Sequence, residues 1–143
     1  MLQIQSLRDE TDRIIKGLEK KNVANAAGQV QNAIRIDSER REIQQSLNRL
    51  QEELNRLSGS IGGLMKEGKK EEAEALRQKV AGIKVEVKEL EEKSSASEEE
   101  LYQAMVVLPN VAHDSVPKGK TPEENEVVES WGDAKDMADW ALP

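Results

Sequence analysis

Arg49 and Arg56 stand seven residues apart, and Lys70, Arg77 and Lys84 repeat at the same interval further along the chain. Lys66, Lys69 and Lys79 lie between and around them. Seven residues are close to two helical turns, so each set falls on one outward line of a rod. Cations spaced this way can track a phosphate backbone, with an affinity that drops steeply as salt rises. They can equally flank a helix–helix seam and set its pairing through ion pairs. Other chemistries find less support. The acid pairs Glu52–Glu53, Glu71–Glu72 and Glu91–Glu92 and the run Glu98–Glu100 sit on polar helical stretches, whereas acid–base catalysis needs a desolvated pocket. His113 is the one histidine and cysteine is absent, which excludes disulfides, thiolate zinc sites and cysteine nucleophiles. The glycine-rich run Ser58–Gly63 follows no strand and lies inside a helical pattern, so it is not read as a phosphate loop. Its glycines soften the helix locally, or let a ligand backbone come close. No catalytic residue and no metal ligand is assigned.

The elements that must carry these cations are legible in the composition. Of 143 residues, 36% are hydrophobic and 34% charged, and the aromatics are Tyr102, Trp131 and Trp140. So much charge with so few rings predicts long solvated helices rather than a sandwich or barrel. The net charge of −7 is uneven. Residues 35–93 balance thirteen basic against thirteen acidic side chains, whereas residues 94–143 hold three against eleven. An acidic total therefore does not exclude a local basic surface. No apolar run approaches the ~20 residues of a membrane span, and no signal-peptide core precedes residue 20, so a cytoplasmic protein is expected.

Residues 1–21 read as one short amphipathic helix with Leu2, Ile4, Leu7, Ile14, Ile15 and Leu18 on its apolar side. Residues 22–28 fit either a turn or a frayed helix start. From about residue 30 the period tightens: Ala33, Ile36, Ile43, Leu47, Leu50, Leu54, Leu57, Ile61 and Leu64 form a coiled-coil seam. A second seam runs through Ala73, Leu76, Val80, Ile83, Val87, Leu90, Ser94, Ser97, Leu101, Ala104 and Leu108. The seams mirror each other about Gly68, so that Leu64 meets Ala73, Leu57 meets Val80, Leu47 meets Leu90 and Ala33 meets Ala104. This predicts an all-α fold: a long antiparallel two-helix coiled-coil hairpin, a short N-terminal helix packed at its base, and an irregular C-terminal connector. The hairpin helices are expected at about 30–66 and 71–108, with the tip at about 66–71. Each arm would span roughly 54 Å. Two layers depart from the rule, Arg40 facing Ser97 and Ile43 facing Ser94, and the serine-rich run 94–97 predicts a soft or bent joint. The pairing sets Arg77 and Lys84 opposite the uncharged Ser58 and Gln51, and Glu53 opposite Glu86, so much of the basic charge is not used in holding the hairpin together. Residues 109–143 form the connector, which starts at Pro109 and ends abruptly at Pro143, as if a further domain followed.

Several of these segments resemble bacterial seryl-tRNA synthetases. They are Met1-Leu2-Gln3-Ile4 with Leu7-Arg8, Ile36-Asp37-Ser38-Glu39-Arg40-Arg41-Glu42, the tip Leu57 to Gly68, and above all Leu108-Pro109-Asn110-Val111-Ala112-His113-Asp114-Ser115-Val116-Pro117. Gly119, Asn125-Glu126-Val127-Val128 and Trp131-Gly132 extend the likeness to essentially the whole chain. The family often has Pro-Glu in the first helix where this chain has Asp9-Glu10-Thr11. The resemblance implies residues 1–108 as a tRNA-binding arm and residues 109–143 as a connector towards a class II catalytic domain. It implies a cytoplasmic, homodimeric parent enzyme that joins serine to tRNA using ATP and magnesium, with no cofactor bound by these residues. The arm would grip the long variable arm and T-loop side of a serine-accepting tRNA, mainly through its backbone. No DNA or membrane partner is implied. The family supplies no fixed set of contact residues, so Arg49, Arg56, Lys66, Lys69, Lys70, Arg77, Lys79 and Lys84 stand as candidates on charge geometry alone. A prefoldin-like protein-interaction hairpin is the alternative, although it leaves the connector and Trp131 unexplained.

Overall fold

A computed structural model of the chain describes residues 2–132. Met1 and residues 133–143, with Trp140 and the abrupt end at Pro143 among them, lie outside the described residues. The described residues are helical, with no strand among them. Helix α1 (Ile4–Asp9) and helix α2 (Thr11–Lys20) precede two long helices, α3 (Ala26–Lys66) and α4 (Lys70–Val106), and a 3₁₀ turn spans Pro122–Glu124.

The expected N-terminal helix is two helices. Glu10 leaves helical geometry at φ −126°, ψ 35°, and the Thr11 hydroxyl donates 2.6 Å to the Leu7 carbonyl. A short hydroxyl side chain offers the backbone a partner outside the regular ladder, which is how such residues break helices. The kink lets Leu7, Ile14 and Leu18 all point at the hairpin: Leu7 and Leu18 are fully buried and Ile14 nearly so.

Both helix ends that reverse the chain use the same device. After α2, the Val23 N–H donates to Leu18 O and the Asn22 N–H to Glu19 O, with Asn22 at φ 59°. After α3, the Lys69 N–H donates to Leu64 O and the Gly68 N–H to Met65 O, with Gly68 at φ 77°. Each is a Schellman stop, in which a left-handed residue turns the chain and satisfies the last carbonyls. A Cβ at positive φ crowds the following carbonyl, which glycine avoids and asparagine tolerates better than most residues because its short amide can hydrogen-bond locally. The 22–28 segment is thus a turn to Asn25 and helix from Ala26.

The α3–α4 pairing follows the mirrored seams. Between residues 43 and 97 every expected seam position is buried or half-buried, and the half-buried Gln44 joins them. Two helices alone cannot bury these side chains fully: Leu47 keeps 7% of its surface and Val80 8%. The wide core lies at the base, where α1 and α2 lie across the hairpin and Leu7, Ile14, Leu18, Val30, Ala33 and Met105 meet. A rod some 60 Å long, by rise per residue, therefore projects from a compact foot. Helix α4 is uninterrupted through residues 94–97, so the expected bend does not break the helix. Ser97, 9% exposed, donates its hydroxyl to Ser94 O at 2.9 Å, which satisfies the poor layer locally.

Candidate nucleic-acid interface

The exposed helix flanks carry the candidate cations, and the burial pattern decides which flank each one occupies. In α3, Leu47, Leu54 and Ile61 take heptad position a, and Leu50, Leu57 and Leu64 take d. In α4, Ala73, Val80 and Val87 take a, and Leu76, Ile83 and Leu90 take d. In an antiparallel pair, one flank then carries the e and b residues of both helices and the other flank carries g and c. The cross-helix ion pair Arg35–Glu100, at 3.8 Å, joins a c residue to a g residue, as this register requires.

Lys70, Arg77 and Lys84 all fall at e, whereas Arg49 and Arg56 fall at c and Lys79 at g. The cations that look like one set in the sequence thus lie on opposite flanks. Lys66 sits at f, on the outer edge of α3, and Lys69 is in the turn. Their side chains are exposed and paired only locally. Arg77 Nη1 donates to Glu74 Oε2 at 3.2 Å, Lys69 Nζ lies 2.8 Å from Glu67 Oε2, and Arg56 Nη2 lies 4.0 Å from Glu53 Oε1. Among the described residues, Arg49, Lys66, Lys70, Lys79 and Lys84 have no carboxylate within 4.0 Å. Exposed pairs of this kind contribute about 0–1 kcal/mol each, so they leave the cations available to a polyanion.

The foot holds a charged group that reading by period did not single out. Asp37 is 1% exposed, between Arg8 of α1 and Arg40 of α3. Arg40 Nη2 donates to Oδ1 at 3.2 Å, while Arg8 Nη1 contacts Oδ2 at 3.1 Å but out of line for a hydrogen bond, so that Oδ2 and the buried Arg40 Nε have no hydrogen-bond partner. Arg40 at a seam position was the available signal, because an arginine in a packed layer needs an acid within reach. The triad ties α1 to α3 and so sets how the foot sits on the rod.

The connector is pinned to α2. Lys20 Nζ donates to Asp114 O at 3.0 Å, Lys21 Nζ to Asn110 O at 2.5 Å, and Asn22 Nδ2 to Gly119 O at 3.3 Å. Val111 packs so closely over Gly17 that a Cβ there would overlap its Cγ1. His113 hydrogen-bonds Ser115 Oγ at 2.9 Å, a local turn contact rather than a reactive pair. Among the described residues no three His, Cys, Asp or Glu side chains are placed to hold a metal ion together. Nor is any described helix long and apolar enough to cross a membrane.

Known proteins share this arrangement. The seryl-tRNA synthetase N-terminal domain family matches residues 1–112. A serine–tRNA ligase of Synechococcus sp. (strain JA-3-3Ab) is 33% identical over 146 residues, covering 100% of this chain and 33% of the relative. One from Parvibaculum lavamentivorans is 35% identical over 139 residues, covering 96% of this chain and 31% of the relative. The crystal structure of seryl-tRNA synthetase from Pyrococcus horikoshii complexed with ATP superposes with a TM-score of 0.81 at 29% identity, over 92% of this chain and 29% of that one. The chain thus spans about a third of the length of the curated relatives it matches. These matches support a synthetase arm over a prefoldin-like hairpin.

Proposed function

Since the chain belongs to the seryl-tRNA synthetase N-terminal domain family, we propose that it is the tRNA-binding arm of an enzyme that attaches serine to tRNA. The observation that carries this is a long hairpin whose outer half bears exposed cations paired at most within their own helix or turn, on a foot that belongs to that family. Cations on a rod contact phosphates and so position an RNA without reading its bases. RNA helices are recognised largely by shape and backbone, which suits an arm that lies against the long variable arm and T-loop side of a serine-accepting tRNA. The candidate contacts are Arg49, Arg56, Lys66, Lys69, Lys70, Arg77, Lys79 and Lys84. The whole protein is proposed to be a cytoplasmic homodimer. ATP and magnesium would serve its catalytic domain by activating serine, and no step involving them is assigned to residues 1–132.

The test is a binding titration of the intact protein against two tRNAs, one with a long and one with a short variable arm, at two salt concentrations. Tighter binding of the long-arm tRNA, weakening with salt, is the expected result. Equal affinity for the two would refute recognition by this arm.

A further inference from the structure

The two flanks of the hairpin differ in charge, and the difference selects one of them. On the g/c flank, Arg49, Arg56, Lys79 and Lys93 are interleaved with Glu42, Glu53, Glu67, Glu72, Glu86 and Glu89. A phosphate backbone approaching there would meet more repulsive groups than attractive ones. On the e/b flank, α4 presents Lys70, Arg77, Lys84 and Lys88 against two carboxylates, Glu74, which is already bonded to Arg77, and Glu91 at the inner end of the stretch. Beside them α3 presents no charge at all from residue 44 to residue 65, only Gln44, Asn48, Gln51, Asn55 and Ser58 with Gly62 and Met65.

Resting on the tRNA-arm reading, we propose that the e/b flank, built by Lys70, Arg77, Lys84 and Lys88 of α4 and by Asn48, Gln51 and Asn55 of α3, is the face that takes the RNA, and that it takes it as a duplex. From Lys70 to Lys88 the cations cover about 27 Å of helix, enough to follow several successive phosphates. Amide side chains both donate and accept, which matches the 2′-hydroxyls exposed along an RNA minor groove. Single strands are held by stacking on rings, and no aromatic residue precedes Tyr102. The same flank is closed at the foot, where α1 and α2 cover Val30, Asp37 and Met105, all e residues. Between the foot and Lys88 this flank carries Glu91 of α4 and Arg41 of α3, so the open basic stretch starts at Lys88, and an RNA stem laid along it would run outward to the tip.

Two triple variants of the intact protein with equal charge loss separate the flanks. In one, Arg77, Lys84 and Lys88 become Gln; in the other, Arg49, Arg56 and Lys79 do. Binding of a serine-accepting tRNA transcript is titrated over a range of salt, with helix content checked by circular dichroism. R77Q/K84Q/K88Q is expected to weaken binding at least tenfold and to lower the slope of log K against log salt by about 2–3, the counterions of three phosphates. R49Q/R56Q/K79Q is expected to change affinity less than threefold. A third variant, N48A/Q51A/N55A, should weaken binding with an unchanged salt slope, because neutral groups release no counterions. Equal losses in the two charge variants, or the larger loss from the g/c flank, would overturn the assignment while leaving the arm reading intact. Absence of tRNA binding by the parent protein would overturn that reading itself.

Discussion

Replacing Asp37 by Asn keeps the side-chain shape and removes the one anion between Arg8 and Arg40. Losing one partner of a fully buried pair costs about 3–5 kcal/mol, because the other charge is stranded. Here the stranded groups are guanidiniums whose side chains are 31% and 30% exposed, so water recovers part of that cost. The geometry also limits the loss, since Arg8 does not reach Oδ2 in line and Arg40 Nε is unpaired. About 2 kcal/mol is therefore expected. For a chain of 143 residues that corresponds to a Tm lowered by roughly 6–8 °C. Thermal unfolding followed by circular dichroism, at equal protein concentration, reads this directly. The variant Arg8→Met, Asp37→Leu, Arg40→Met should be more stable than D37N, because it strands no guanidinium and removes the desolvation penalty of the buried Asp37. A Tm within 2 °C of the parent for D37N would refute the reasoning: the carboxylate would then hold nothing that water does not hold as well.

Other positions give separate checks. Gly17→Ala drives a Cβ into Val111; it should cost about 1–3 kcal/mol and speed proteolysis after Asn110, with Val111→Ala in the same chain restoring the parent pattern. The serine layer should be the soft part of the rod. Amide exchange at 94–97 is expected to be faster than at 80–90, and equal protection would remove any hinge there. Glu124 accepts hydrogen bonds from the backbone N–H groups of Lys120 at 2.5 Å and Thr121 at 3.0 Å, which hold its carboxyl below the usual 4.5. A lowered folded-state pKa means that the turn is fully supported above 4.5 and loses that support as pH falls through the lower value. The Lys120 and Thr121 amide shifts should titrate with a midpoint below 4.5; a midpoint at or above it would contradict the contact.

Much of this molecule is local physics and so could be read without coordinates. The seams of α3 and α4 depend on spacing alone, and a mirrored pair about Gly68 leaves one way to bury them. Burial then follows the expected layers from Ile43 to Ser97. The family likeness was equally local, carried by short stretches such as Leu108–Pro117. What spacing could not supply is the relation between elements distant in the chain. The kink at Glu10 depends on a hydroxyl capturing a carbonyl, and its use becomes clear only when Leu7 and Leu18 are both seen against the hairpin. Asp37 reads as one more surface acid until Arg8, 29 positions earlier, is placed beside it. The cations show the limit most plainly. Seven-residue spacing puts each set on a line, but one helix's spacing cannot say on which side of its partner that line falls. Packing α3 against α4 divides them, because turning two helices face to face assigns every flanking position to one side of the rod or the other.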